Sequence, residues 1–174
     1  MFTLKNHPAF KLFLKACIVF WFLGFILLAI YPRYGIFPII NMHHNAWGDL
    51  WMPYITRLGE GAYIFPFGAL VWLWKDRKSF PLFAMIVLVL LLPTAITVVL
   101  KILAATPRPL TVFKNEAWIH IVPGYKNNFY RSWPSGHTTG VFSFASLMVY
   151  CLTAKYKWWS LFFFCVALLV GYSR

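Results

Sequence analysis

The sequence predicts an all-α integral membrane bundle with five transmembrane helices and one amphipathic helix at the membrane interface. Apolar residues make up 61% of the 174 residues and charged residues only 11%, a composition that excludes an ordinary soluble domain. The apolar residues fall into blocks close to the ~20 residues that a spanning helix needs. Lys and Arg lie in the short segments between these blocks, where anionic lipid headgroups are their expected partners.

The net charge of +12 would suggest a nucleic-acid partner if the protein were soluble. Because the basic residues flank apolar blocks, we expect a membrane surface as the partner and no nucleic acid. Cys17, Cys151 and Cys165 lie inside apolar blocks without paired spacing, which favours packing residues over disulfides or metal ligands. No repeat, low-complexity segment or linker interrupts the chain, so we expect a single domain over residues 1–174. These features do not indicate an oligomeric state.

The first apolar block runs from Cys17 to Tyr31 and follows a basic N-terminal segment containing Lys5, Lys11 and Lys15. A basic start before an apolar core also describes a secretory signal. This core is long and rich in aromatic residues, and no small-x-small cleavage site follows it before Arg33. We therefore predict that the first block is an uncleaved transmembrane helix.

Residues 33–61 are mixed in polarity, and the pattern from Trp47 to Leu58 within them predicts an amphipathic helix. This helix should lie in the interface with its Trp and Tyr residues at headgroup depth. Arg57 and Glu60 are three residues apart, so they can pair on one face of that helix. His43 and His44 would project about 100° apart on a helix, which makes them a poor chelating pair. We expect these two histidines to be solvated loop residues.

The other four spans are predicted from the remaining apolar blocks at residues 62–74, 81–100, 137–153 and 158–172. The first of these blocks is short, and a helix beginning near Thr56 would supply the missing length. Pro93 should kink the 81–100 span, because proline removes one backbone hydrogen bond.

The distribution of basic residues predicts a cytoplasmic N-terminus. Alternating spans place residues 1–15, 75–80 and 153–157 on the inner side, with eight Lys and Arg: Lys5, Lys11, Lys15, Lys75, Arg77, Lys78, Lys155 and Lys157. The outer loops carry the same number of Lys and Arg residues over more than twice the length. The higher density of positive charge on the inner side therefore favours this orientation. We expect a multi-pass protein of the inner (cytoplasmic) membrane.

Residues 134–137 read Pro-Ser-Gly-His and open the fourth predicted span. Ser135 is a favoured N-cap residue, and Gly136 lets a ligand approach the backbone. The positive end of such a helix favours an anion. Upstream, Pro107 and Pro109 hold Arg108 extended beside a span end, where a rigid guanidinium suits phosphate. Lys101, seven residues before Arg108, either joins that site or simply extends towards the headgroups.

These residues form three motifs in order, all at predicted span ends on the outer side: Lys101-x6-Arg108-Pro109, then Pro134-Ser135-Gly136-His137, then Ser173-Arg174. The trio resembles the type 2 phosphatidic acid phosphatase and haloperoxidase superfamily, whose motifs read K-x6-R-P, P-S-G-H and S-R-x5-H-x3-D. The predicted spans favour its membrane phosphatase branch over the soluble haloperoxidases. The resemblance implies a six-helix bundle and hydrolysis of a lipid phosphate, and the predicted orientation places the three motifs on the extracytoplasmic side.

The chemistry of the motif residues predicts a role for each of them. Lys101, Arg108, Arg174 and the backbone N–H groups of Ser135 and Gly136 would surround the phosphate and stabilise its transition state. His137 would protonate the leaving oxygen, whereas a histidine at a helix start can also be merely structural. The resemblance implies no metal and no other cofactor, and the four acidic residues are too scattered to suggest a metal site.

The third motif is represented only by Ser173 and Arg174, so the histidine nucleophile and aspartate that the resemblance implies are not among these residues. We therefore expect an incomplete domain, with five of six transmembrane helices, that is catalytically inactive. Phosphatidate, phosphatidylglycerophosphate, undecaprenyl pyrophosphate and lipid A all remain open as substrates. The alternative is a non-catalytic membrane interaction or transport protein that reuses the fold.

Overall fold

The computed structural model describes residues 7–31, 34–122, 131–152 and 154–173. Helices are the regular structure of these residues, which contain no strand, so the all-α prediction is confirmed. In chain order they are α1 Pro8–Ile30, α2 Ile36–Met42, α3 Ala46–Arg57, α4 Gly61–Asp76, α5 Phe80–Ala104, α6 Pro109–Val112, α7 Gly136–Cys151 and α8 Trp159–Tyr172, with a 3-10 turn at Ala154–Tyr156.

In the described part of the chain, α1 and α5 are the two helices long and apolar enough to cross a membrane, with 23 and 25 residues. Helix α1 begins well before the predicted Cys17, because Pro8 is a favourable first-turn residue. Helix α5 is capped by Ser79 and continues through Pro93 without interruption. Helices α4, α7 and α8 have 16, 16 and 14 residues, so five spans remain a prediction.

The helix predicted from the pattern between Trp47 and Leu58 corresponds to α3, which Asn45 caps by accepting a hydrogen bond from the Gly48 N–H at 2.7 Å. A separate short helix, α2, and a turn precede it within the mixed segment. The expected extension of α4 back to Thr56 is wrong. Helix α3 ends at Arg57, and the buried Gly59 lies in the break between the two helices.

Contacts at the two ends of the bundle show that neighbouring helices alternate in direction. At one end, the His7 ring, before α1, stacks on Tyr150 near the end of α7 with centroids 4.7 Å apart. There, too, Lys75 in the last turn of α4 donates to the Cys151 carbonyl at 2.7 Å. At the other end, the start of α7 meets Gly59 and the last turn of α8.

Helix α7 is central because it contributes to two separate apolar cores. On one side its residues pack with α1 and α8, around Ala9, Phe13, Val141, Ala145, Val149, Ala167 and Val170. On the other side it packs with α4 and α5, around Ile64, Val71, Ile86, Leu90 and Leu147. Burial on both faces fixes the position and rotation of α7, and therefore of the residues at its N-terminus.

Large apolar side chains remain exposed on the outward faces of the surrounding helices. Leu28 in α1, Trp74 in α4 and Leu103 in α5 are 67%, 71% and 75% exposed. A soluble monomer rarely exposes contiguous apolar surface on this scale. The two apolar span-sized helices and this surface indicate association with a membrane.

Candidate active site

The Pro-Ser-Gly-His segment forms the start of α7, as its sequence predicts. Ser135 is the N-cap residue, with extended backbone, and its hydroxyl oxygen accepts a hydrogen bond from the Thr138 N–H at 3.3 Å. The Thr138 hydroxyl donates to the same oxygen at 2.9 Å. This cap holds the first turn in place, so that its positive dipole end faces the surrounding loops in a fixed direction.

The ammonium group of Lys101 reaches this helix start from the last turn of α5. Its Nζ lies 3.7 Å from the position that a Cβ on Gly136 would occupy. Below it, the buried Thr97 hydroxyl donates to Thr139 Oγ1 at 3.2 Å and links α5 to α7. Because Gly136 has no side chain, a cation and the backbone N–H groups of the helix start can meet the same anion.

The backbone that carries Arg108 is joined to the backbone that precedes Pro134. The Thr106 carbonyl accepts from the Ser132 N–H at 2.9 Å, and the Thr106 hydroxyl accepts from the Trp133 N–H at 3.0 Å. Arg108 itself is half-buried and extended, with φ −84° and ψ 155°, as its flanking prolines predict. The first two motifs are therefore adjacent in space although 26 residues of sequence separate Arg108 from Pro134.

His137 lies against the turn between α3 and α4. Its Nε2 is 3.7 Å from Glu60 Oε1, and its side chain is 27% exposed. The expected pairing of Arg57 with Glu60 is not what forms, because α3 ends at Arg57 and the Arg57 guanidinium lies over the Tyr54 ring at 5.4 Å. Sequence reasoning missed Glu60 as a neighbour of His137, since the two are far apart along the chain.

The backbone at Gly59 passes so close to His137 that no side chain fits there. A Cβ on Gly59 would lie 2.6 Å from the His137 carbonyl oxygen and 2.8 Å from its Cβ. We expect Gly59→Ala to destabilise the fold by about 1–3 kcal/mol, because backbone must move to relieve the overlap. The midpoint of thermal unfolding in detergent should fall.

The matched control for this variant is Gly24→Ala in α1, where a Cβ would meet no atom within 4 Å. This change should leave the midpoint unchanged or raise it slightly, because alanine favours helix. An equal fall in both variants would contradict the close approach at Gly59.

Tyr34 and helix α2 hold the backbone around Arg108. The Tyr34 hydroxyl donates to the Pro107 carbonyl at 3.1 Å, and the Phe37 and Phe113 rings stack with centroids 5.9 Å apart. These contacts join Tyr34 and α2 to the backbone on both sides of Arg108, and so restrict where its guanidinium can lie.

A second cluster in this region surrounds His120, whose Nε2 lies 2.9 Å from both carboxylate oxygens of Asp49. Asn41 exchanges two hydrogen bonds with the His120 backbone. His43 and His44 are exposed, as expected, but the His44 ring also stacks on His120 at 3.7 Å. Within the described residues, no three His, Cys, Asp or Glu side chains lie close enough to hold a metal ion.

A groove of about 800 Å³ between α1 and α7 begins beside the candidate site, at Thr138 and Thr139. Its α1 wall is mostly aromatic, and the α7 side continues through Ser143 and Ser146. The hydroxyls of both serines donate to carbonyls of their own helix, at 2.9 and 2.8 Å. Because these groups are satisfied locally, the groove can accept an apolar occupant.

The last turn of α8 lies beside the first turn of α7. A Cβ on Gly171 would lie 3.6 Å from Thr138 Cγ2, and Ser173 follows two residues later. The third motif therefore starts near the first two. Arg174, to which the sequence assigns a phosphate-binding role, is outside the described residues.

A family model described as the PAP2 superfamily matches residues 65–174. This match covers more than half of the 174 residues and includes all three motifs. Neither the curated proteins nor the solved structures gave a match.

Proposed function

The chain belongs to the PAP2 superfamily, and we propose that it is a membrane-embedded lipid phosphate phosphatase. The reaction is hydrolysis of a phosphomonoester or pyrophosphate on a lipid headgroup, at the extracytoplasmic side of the inner membrane. One observation carries the proposal: the Lys101 ammonium lies beside the start of α7, 3.7 Å from the Cβ position of Gly136.

The phosphate-binding part of the proposal rests on charge at one end of the bundle. Lys101, Arg108 and the N-terminal N–H groups of α7 supply positive charge where phosphoryl transfer spreads negative charge over three oxygens. An arginine fork and a helix N-terminus bind phosphate through different geometries, so they can act on the same group. Arg174 would add a second guanidinium.

The chemical part of the proposal assigns His137 to the leaving group. A lipid alkoxide is a poor leaving group and needs a proton as its bond to phosphorus breaks. His137 lies in the first turn of α7, one residue from the proposed phosphate position, and donates that proton. By family resemblance a third-motif histidine attacks phosphorus and an aspartate orients it, and neither is among residues 1–174.

The lipid part of the proposal is supported by the apolar surroundings of the site. Exposed apolar side chains cover the outward faces of α1 and α5, and the groove between α1 and α7 begins at Thr138. Its volume of about 800 Å³ is enough for hydrocarbon, while the headgroup lies at the start of α7. A water-soluble phosphate ester would gain nothing from these surfaces.

The experiment that tests the proposal is a substrate panel in detergent micelles or vesicles. Phosphatidate, phosphatidylglycerophosphate, undecaprenyl pyrophosphate and lipid A are compared with a water-soluble phosphate ester. The protein is a version of the chain to which a segment completing the third motif has been added. We expect release of inorganic phosphate from at least one lipid, with kcat/KM well above that of the soluble ester.

Absence of release from every lipid, with the protein folded, would contradict the enzyme assignment and favour the non-catalytic alternative. Equal kcat/KM for lipid and soluble esters would contradict only the lipid substrate. The unmodified 174-residue chain serves as the companion sample and should show no turnover.

A further inference from the structure

We infer that Glu60 is a positioning residue for His137: its carboxylate orients the imidazole and stabilises the ring in its protonated form. The inference deepens the proposed function and rests on it for the role of His137. Glu60 lies outside residues 65–174, which match the superfamily model. The structure points to it through one contact, the 3.7 Å between Glu60 Oε1 and His137 Nε2.

The position of Glu60 is not explained by the local needs of its own helix. Glu60 is the N-cap residue of α4, but its side chain makes no capping hydrogen bond to α4. Serine, threonine, aspartate and asparagine are the usual residues at that position. The carboxylate instead extends from the helix start towards the first turn of α7.

The backbone fixes where Glu60 and His137 lie relative to each other. Gly59 is buried and so close to the His137 backbone that a Cβ would overlap its carbonyl oxygen. Gly140, one turn further along α7, would place a Cβ 3.1 Å from the Gly59 carbonyl oxygen. These two close approaches leave the residue after Gly59 beside the His137 ring.

The charges around His137 make a carboxylate useful there. Lys101 lies beside Gly136, and the segment carrying Arg108 is bonded to Ser132 and Trp133. The Lys101 ammonium beside Gly136 disfavours a protonated imidazole, whereas a carboxylate at ion-pair distance favours it. Of the four acidic residues, Asp49 binds His120, Asp76 accepts from the Lys78 N–H at the opposite end of the bundle, and Glu116 is exposed in a loop.

In the proposed role no proton passes to or from Glu60. His137 transfers its proton to the leaving oxygen and becomes neutral, and it regains a proton from the water molecule whose hydroxide is added to phosphorus. Catalytic hydrogen bonds are often long in the absence of substrate and shorten when it binds. A separation of 3.7 Å is consistent with that behaviour.

The experiment uses the 174-residue chain in detergent micelles and tungstate, a tetrahedral anion that keeps its double charge across neutral pH. Histidine is labelled with ¹⁵N, and the His137 signals are assigned with His137→Gln. The variants are Glu60→Gln, Glu60→Asp and the control Glu116→Gln. Glu60→Gln preserves the shape of a partly exposed side chain that does not cap α4, so the fold should be retained.

We expect His137 in Glu60→Gln to lose its proton at a lower pH than in the unchanged chain, because a neighbouring carboxylate favours the charged ring. Between those two pH values His137 is protonated in the unchanged chain but not in Glu60→Gln. Tungstate should therefore bind Glu60→Gln about 10-fold more weakly than the unchanged chain, because one charge-assisted hydrogen bond from His137 is lost. At lower pH the His137 ring is protonated in both the unchanged chain and Glu60→Gln. There Glu60→Gln should bind tungstate at least as tightly as the unchanged chain, because the variant lacks the negative charge of the carboxylate. Glu60→Asp should give a His137 titration and a tungstate affinity between those of Glu60→Gln and the unchanged chain. Glu116→Gln should match the unchanged chain in both measurements.

A loss of tungstate binding at every pH would indicate a purely structural role for Glu60 and overturn the inference. An unchanged titration of His137 in Glu60→Gln would also overturn the inference. The proposed function fails separately: if no lipid phosphate is hydrolysed but the His137 titration moves with Glu60, the pairing stands without the enzyme. If hydrolysis occurs and the titration does not move, the enzyme stands without the pairing.

Discussion

Replacing His137 by glutamine is expected to lower the turnover of a lipid phosphate by about 10²–10⁴-fold, the usual contribution of a positioned general acid. Glutamine keeps a polar side chain at the start of α7 but cannot deliver a proton to the leaving alkoxide. The fall should appear in kcat more than in KM, because the proton moves only in the transition state. Turnover is measured in the version of the chain that completes the third motif.

A second substrate separates general-acid catalysis from a structural effect of the same variant. The p-nitrophenolate group leaves without being protonated, so His137→Gln should slow p-nitrophenyl phosphate hydrolysis much less than lipid phosphate hydrolysis. The control is His43→Gln, since His43 is exposed and its ring nitrogen lies 2.6 Å from the Ile39 carbonyl of its own helix. Equal losses on both substrates would assign His137 a structural role.

Removing either cation of the first motif is expected to weaken tungstate binding to the 174-residue chain by about 10–100-fold. A hydrogen bond to a charged group contributes about 1.5–3 kcal/mol, and 1.4 kcal/mol is a factor of ten in affinity. Lys101→Met removes the ammonium beside Gly136, and Arg108→Met removes the guanidinium of the adjoining segment. Isothermal titration calorimetry in detergent measures the dissociation constants.

The control for these variants is Lys114→Met, which removes one positive charge from an exposed loop position after α6. It should change affinity much less, because exposed charges are screened by salt. Arg108→Lys should be intermediate, since lysine keeps the charge but not the planar fork. If Lys114→Met weakened tungstate binding as much as Lys101→Met, binding would reflect overall charge and not a built site.

Several local features were predictable because neighbouring residues determine them. Pro134 and Ser135 predict a helix start, and Ser135 caps α7. The prolines around Arg108 restrict its backbone, and it is extended. The alternating apolar and basic segments predict helices of opposite direction, which the contacts at the two ends of α7 show.

Other features could not be predicted because they depend on residues far apart in the chain. The interface between the α3–α4 turn and α7 depends on Gly59, because any side chain there would overlap His137. A single glycine adds nothing to the pattern of apolar residues from which buried faces are predicted. The pairing of His120 with Asp49 joins residues 71 apart. The i, i+3 rule assigned Glu60 to Arg57, but that rule holds only within a continuous helix, and α3 ends between them.

The sequence by itself determined the chemistry available to this protein, because motif identity, apolar blocks and basic flanks are properties of local stretches. It supplied the helices, the cations and the histidine at a helix start. Only the tertiary structure decided which of these groups meet. Two cores on opposite sides of α7 fix its N-terminus beside Lys101, and close backbone contact at Gly59 places Glu60 next to His137. Such contacts depend on packing between distant segments, which no local pattern encodes.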